Sequence, residues 1–220
     1  MKQALIIGAT GGIGRAVRAA LVAQGVTVTG QSRADGLDVA DPASVDRVLG
    51  GLTGPFDLIF VAMGVLALPG SVPEKTLTAV TAEAMAGVFA VNAIGPALIL
   101  RHAARLLRRD GRGVVAVLSA RVGSIADNRM GGWYSYRASK AALNQIVHGA
   151  AIEIGRSHRG SIVVALHPGT VATAFTADYA GKHPTVAPMV AAENLLSVLN
   201  GLTVSDSGGF FDWAGDVVPW

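Results

Sequence analysis

The segment WYSYRASKAALN, residues 133–144, holds two phenols and an amine: Tyr134, Tyr136 and Lys140. Residues four apart on a helix share a face, one turn from each other. Tyr136 and Lys140 meet that condition, whereas Tyr134 points elsewhere and is expected to pack or to line a substrate mouth. A free phenol titrates near pH 10, and drawing it towards neutrality takes roughly 4 kcal/mol of preference for the phenolate. An ammonium at about 4 Å supplies that order of energy at an effective dielectric of about 20, but only about 1 kcal/mol in bulk water. The pair is therefore expected to be buried, with Lys140 acidifying Tyr136 so that it exchanges a proton with a substrate oxygen.

Such a pair needs elements to hold it. Short apolar runs rich in Val and Ile, namely QALIIG, VTVTG, FDLIFVAMG, GVVAVLS, SIVVALHPG and GGFFDW, alternate with helical stretches along the chain. That alternation predicts an α/β fold, a single Rossmann-type doubly wound parallel sheet with helices on both faces. Helices are expected over GRAVRAALVAQG, from about 82 to 109, from the tyrosine pair to about 155, and over APMVAAENLLSVLNG. The link from VTVTG to DPASVDRVL is short, so its helix is expected to be cut down. The whole of residues 1–220 is read as one domain, since no linker, repeat or low-complexity segment interrupts it.

In IIGATGGIG, Gly8, Gly12 and Gly14 stand where the first strand turns into the first helix. A pyrophosphate needs that geometry: bare backbone for close approach, and a helix N-terminus with free N–H groups. With Tyr136 and Lys140 downstream, the G-x3-G-x-G spacing resembles the short-chain dehydrogenase/reductase family over essentially the whole chain. GATGGIG is similar to its cofactor turn, LDVAD to its adenine-contacting segment, and VNAIGP to its helix asparagine. YRASK matches its Y-x-x-x-K, and HPGTVAT its P-G turn. The ending GGFFDWAGDVVPW and the segment GSIADNRMGGWYSYRASKAALN resemble the branch of C-factor proteins and small carbonyl reductases.

The resemblance implies an NAD(P)-dependent oxidoreductase that moves hydride between the cofactor and a carbonyl or alcohol substrate. It implies Tyr136, Lys140, Asn92 and Ser119 as the catalytic set, with Asn92 holding a water that relays protons towards Lys140. It implies cofactor contacts from Gly8, Thr10, Gly12, Ile13 and Gly14, from Asp38 and Val39, and from Ala62, Met63 and Gly64. Pro168, Gly169, Thr170, Val171 and Thr173 are expected at the nicotinamide carboxamide, and Tyr136 and Lys140 at its ribose. Where the family usually carries N-N-A-G, this chain has VAMG, so contacts there are expected to be mostly backbone. The second strand is followed by Ser32 and Arg33 with no acid at its end, which favours NADP(H) over NAD(H) through a guanidinium–phosphate contact.

One departure concerns the substrate oxygen. The family's Ser-Ser-x-x-Gly reads LSARVG here, putting Ser119 on the first serine and Ala120 on the second. Successive strand residues face opposite sides, so Ser119 replaces its neighbour only if the strand end twists. Ser124 is a second candidate, and the absence of any serine donor a third. A low-turnover dinucleotide-binding sensor or signalling protein of C-factor type is the rival reading. A sugar-nucleotide epimerase would need a substrate domain, and only about Thr170 to Pro188, read as a lid over 170–188, is on hand.

The composition narrows the rest. With no cysteine, disulfides and thiolate metal sites are excluded, and a cytoplasmic location is expected. The five histidines show no metal-ligand spacing, so no metal is expected. Net charge is +3, and Arg101, Arg105, Arg108 and Arg109 are read as a solvated helix end, not a nucleic-acid patch, because no aromatics interleave with them. The apolar stretch AGVFAVNAIGPALIL falls short of the roughly 20 residues of a membrane span. It is read as a buried or subunit-interface helix of a homodimer or homotetramer.

Overall fold

The computed structural model describes residues 1–177 and 184–220. Strands β1 (Gln3–Ile7), β2 (Thr27–Gln31), β3 (Leu58–Val61), β4 (Gly113–Leu118), β5 (Ser161–His167) and β6 (Phe210–Asp212) form one sheet in the order β2-β1-β3-β4-β5-β6. Every neighbouring pair is parallel. Helices α1 (Gly12–Ala23), α2 (Pro42–Gly50), α3 (Ala82–Phe89), α4 (Gly95–Leu106), α5 (Tyr134–Ser157) and α6 (Pro188–Gly201) complete the alternation.

Apart from the edge strand β2, the strands are apolar on both faces because both faces are covered. Leu5, Ile7, Ile59, Val61, Val115 and Val117 pack with Leu49 of α2, Ile99 of α4 and Leu143 and Val147 of α5. The alternate residues Ile6, Phe60, Val114, Ala116 and Val164 pack with Val17 and Leu21 of α1 and Leu195 and Leu199 of α6. The chain runs from β1 outward to β2, then crosses back to place β3 on the other side of β1. That reversal opens a crevice at the C-terminal ends of β1 and β3, the switch point at which open α/β sheets take ligands.

Several expectations need adjusting. The link after β2 is a single 3-10 turn, Arg33–Asp35, followed by α2, in line with a shortened helix. The long helix stops at Leu106, three residues earlier than expected, because Leu107 turns extended (ψ 148°) and bridges to Phe56. Ala82–Leu106 is one continuous 25-residue helix, long and apolar enough to cross a membrane by length and composition. Pro96 does not break it. A π turn at Ala90–Ile94 precedes α4, and the proline falls in the first turn of α4. Its buried face, Asn92, Pro96, Ile99, Ala103 and Leu106, belongs to the sheet-covering layer. Arg101, Arg105 and Arg109 are exposed, as a solvated helix end requires, and three of the four arginines also bind neighbouring elements. Arg101 pairs with Asp46 of α2, Arg105 donates to the carbonyls of Leu49 (2.7 Å) and Leu52 (2.9 Å), and Arg108 pairs with Asp57. The expected lid over 170–188 lies partly outside the described residues. At its base Val171 bridges to Val186.

Asp57, just before β3, closes the N-terminal edge of the sheet. Its carboxylate accepts from the backbone N–H groups of Lys2 and Gln3 and from Arg108. Burial works against the charge, but these donors outweigh it and hold the carboxyl down at about 2. The sign follows: a depressed folded pKa contributes stability above the unfolded value, and that contribution disappears as pH falls through the folded one. Asp57→Asn should cost about 1–2 kcal/mol at pH 7 in urea unfolding, discounted for a site near the surface. The gap from the unmodified protein should close between about pH 4 and pH 2; a gap that persists at pH 2 would show that charge is not its source.

Candidate active site

The glycine turn sits in the crevice. Gly8 has φ +84°, and a Cβ there would lie 2.3 Å from the Ala62 carbonyl oxygen at the end of β3. A Cβ on Gly14 would lie 2.2 Å from the Gly8 carbonyl oxygen, and one on Gly12 2.4 Å from Cγ2 of Thr173. The turn therefore touches β3 on one side and the 170–177 segment on the other. The N-cap of α1 is Gly11, with no side-chain cap and no acid in the first turn. Its leading N–H groups and dipole thus have no internal anion to satisfy them, and they fit a pyrophosphate. Thr10 is exposed and Ile13 half-buried beside them.

Across the crevice, α5 presents Tyr136 (6% exposed) and Lys140 (3% exposed) on one face. Lys140 Nζ donates to the Leu118 carbonyl at the end of β4 (3.0 Å) and lies 6.0 Å from the Tyr136 ring centre. A Cβ on Gly64 would stand 3.4 Å from this nitrogen, so the loop after β3 also closes on it. Burial lowers the Lys140 amine to about 8 and pushes the Tyr136 hydroxyl well above its ordinary value. This corrects the expectation of an acidified phenol: the ammonium, 6.0 Å from the ring centre and anchored on Leu118, does not overcome desolvation of the ring hydroxyl. Tyr134 is only half-buried, and the ring of Tyr136 instead meets those of Trp133 and Phe175, each at 6.2 Å.

Asn92, fully buried in the π turn, spends its side chain on protein groups. Its Oδ1 accepts from Val65 N–H (2.8 Å), and its Nδ2 donates to the Val65 carbonyl (2.8 Å) and to Ser139 Oγ (3.1 Å). It thereby pins the loop carrying Ala62, Met63 and Gly64. Both amide protons are taken, which leaves a lone pair on Oδ1 for any water. Ser119 Oγ donates to Asn144 Oδ1 (2.6 Å), about two turns along α5 from Tyr136. Ser124 Oγ accepts from Asp127 N–H (3.1 Å).

Beyond the end of β2, where adenosine contacts are expected, Arg33 is exposed on its 3-10 turn, whereas the buried Ser32 donates to Asp35 Oδ2 (2.7 Å). Asp38 Oδ1 accepts from Ala40 N–H (3.0 Å), and Val39 packs against the core. At the other end Pro168 leads into Gly169 (φ +76°), whose bend lies against Trp213. Thr170 and Val171 pair with Val186. His167, held near 4 by burial, is neutral at working pH. Among the described residues no cluster of His, Asp and Glu could hold a metal ion; His183 lies outside them.

A residue missed in the sequence completes the site. Glu74, buried at 8% exposed, accepts from both the N–H and the hydroxyl of Ser135 in the first turn of α5. The N-cap residue Trp133, at φ +51°, has no side-chain cap of its own, and its N–H donates to the Glu74 carbonyl. Glu74 therefore caps α5 from outside, one residue from Tyr136. A carboxylate 61 residues upstream leaves no local mark to read.

Backbone donors shaped for a pyrophosphate, set across a crevice from a buried phenol and amine, define a dinucleotide-dependent enzyme of Rossmann type. Comparison narrows the class. A family model described as enoyl-(acyl carrier protein) reductase matches residues 18–200. The C-signal of Myxococcus xanthus is 36% identical over 168 residues, 76% of this chain and 95% of that one. The 1-hydroxy-2-glutathionyl-2-methyl-3-butene dehydrogenase of Rhodococcus sp. (strain AD45) is 32% identical over 203 residues, 91% of this chain and 83% of that one. The solved NADPH-bound carbonyl reductase from chicken fatty liver superposes with a TM-score of 0.81 at 26% identity, covering 100% of this chain and 99% of that one. The carbonyl reductase Sniffer of D. melanogaster, at 19% identity and a TM-score of 0.82 over 100% of both chains, shares the fold. The chain belongs to the short-chain dehydrogenase/reductase family and is an NAD(P)-dependent oxidoreductase.

The capping contact has a measurable consequence. Burial raises the Glu74 carboxyl, yet the Ser135 donors outweigh it and the net shift is downward. Glu74→Ala should lower stability by about 1–3 kcal/mol at pH 7, through two orphaned donors and a lost cap. The difference should shrink on acidification below the ordinary carboxyl range. Equal urea midpoints at pH 7 would contradict the capping role.

Proposed function

We propose that the protein is an NADP(H)-dependent carbonyl reductase or alcohol dehydrogenase in which Tyr136 exchanges a proton with the substrate oxygen. The observation that carries this reading is the burial of Tyr136 and Lys140 together on one face of α5, opposite the glycine turn. The bound cofactor supplies the hydride. A phenol held above its ordinary pKa is protonated at working pH but a weak acid, so donation in the reducing direction calls for a positive charge to stabilise the phenolate it leaves. The Lys140 ammonium, charged below about pH 8, eases the departure of that proton and also binds the nicotinamide ribose. Asn92 fixes the loop wall and offers its remaining lone pair to a relay water.

Gly8, Thr10, Gly12, Ile13 and Gly14 take the pyrophosphate. Asp38, Val39, Ala62, Met63 and Gly64 line the adenosine side, and Pro168 to Thr173 the carboxamide. Arg33 favours the 2′-phosphate, with Ser32 beside it. In this proposal Ser119 steadies α5 through Asn144, so Tyr136 alone donates to the substrate oxygen. Losing an oxyanion donor costs roughly 3 kcal/mol in other enzymes, so turnover is slow. The 170–188 segment acts as lid, the chain works in the cytoplasm, and the exposed Ile94 and Ile152 belong to a homodimer or homotetramer contact. The rival, a low-turnover dinucleotide sensor or signal, is favoured by the commitment of Ser119 and by the resemblance to the C-signal.

Tyr136→Phe should reduce NADPH-dependent carbonyl reduction by about 10²–10⁴-fold without weakening NADPH binding. The unmodified rate should decline above about pH 8 as Lys140 loses its proton. NADPH binding with no reduction across a carbonyl panel would select the rival. In the cofactor test, Arg33→Ala should weaken NADPH by roughly tenfold or more and leave NADH unchanged; equal affinities for the two in the unmodified protein would reject the preference.

A further inference from the structure

A cavity of about 240 Å³ opens beside the Tyr136–Lys140 pair. Val65, Leu66, Ala67, Val72, Pro73 and Phe175 line it, with Ser71 the lone side-chain hydroxyl and no ionisable group among its described lining residues. Gly64 forms its inner end, where a Cβ would lie 3.4 Å from Lys140 Nζ, and Phe175 brings its ring to 6.2 Å from that of Tyr136. The wall is braced on both sides. Asn92 holds Val65 by two hydrogen bonds, and Glu74, next after Pro73, is fixed on Ser135. Val72 is 80% exposed and Phe175 42%, so the mouth presents apolar surface to water. A larger cleft of about 600 Å³ beside Arg108 and His158 lies at the N-terminal edge of the sheet, away from these groups.

Mostly apolar side chains on a braced frame, open to solvent and reaching Tyr136 only through the ring of Phe175, favour a ligand that covers them without bringing charge. We propose that this cavity is the substrate subsite for an uncharged hydrophobic group, a phenyl ring or a short branched alkyl chain, attached to the carbonyl that Tyr136 addresses. The inference rests on the reading of Tyr136 as proton donor. The volume of about 240 Å³ is below the usual range for drug-sized ligands, so a single ring or a short chain fills it. An α-keto acid or a sugar would set a carboxylate or several hydroxyls against lining side chains whose one hydrogen-bonding group is the Ser71 hydroxyl.

Calorimetry on the NADP-loaded chain tests this without turnover. Along the 1-alkanols from ethanol to hexanol, affinity should rise about three- to fourfold per methylene, with an increasingly negative heat-capacity change. Benzyl alcohol should bind in the hexanol range. Val72→Asp, at an exposed position, should weaken hexanol and benzyl alcohol at least tenfold and leave NADP binding intact. Ala67→Phe should exclude hexanol but admit ethanol. A flat alkanol series, tighter binding of lactate than of butanol, or indifference to Val72→Asp would overturn the subsite. A steep series in a protein that reduces no carbonyl would uphold the subsite and defeat the proton-donor reading, so the two fail separately.

Discussion

The hydrogen bond from Lys140 to the Leu118 carbonyl is the constraint on which the site depends. It takes an ammonium into a buried position and ties α5 to the end of β4. The contact is close all along that seam: a Cβ on Gly123 would lie 2.8 Å from the backbone carbon of Lys140. With the helix held there, Tyr136 lies one turn earlier, its ring against those of Trp133 and Phe175. The same burial that fixes the pair sets its electrostatics, lowering the amine and raising the phenol. Desolvation therefore governs both groups, where proximity alone would have made the phenol acidic.

The rest of the structure brings the two sides of the crevice to that seam. β1 and β3 part at the switch point, and the glycine turn fills the gap by close backbone contact. Asn92 and Glu74 hold opposite ends of the irregular stretch between β3 and α3, one on Val65 and one on the start of α5. The apolar cavity between them is thus shaped by polar anchors that lie outside it. The shape of the cavity and the placement of Tyr136 share the same supports.

What the sequence disclosed follows the range of each interaction. The turn at Gly8 to Gly14 and the Tyr136–Lys140 spacing are local patterns, and strand alternation is written in the apolar runs. The direction of Ser119 followed from the period of two, which cautioned against treating it as a simple replacement for its neighbour. The π turn at Ala90–Ile94 and the continuity of the helix through Pro96 carry no such pattern. Nor do the Leu118 carbonyl, a backbone acceptor offered by any residue, and Glu74, whose partner lies 61 positions away. The expectation of an acidified phenol takes burial as strengthening the ion's field and leaves out its larger cost to the phenolate itself.

A crystal structure of the chain with NADPH bound tests the central claim most directly. The account predicts the Tyr136 hydroxyl turned into the crevice beside the nicotinamide, with Lys140 Nζ bridging Leu118 O and the nicotinamide ribose. A Tyr136 hydroxyl directed into the protein, or a nicotinamide lodged away from α5, would contradict it.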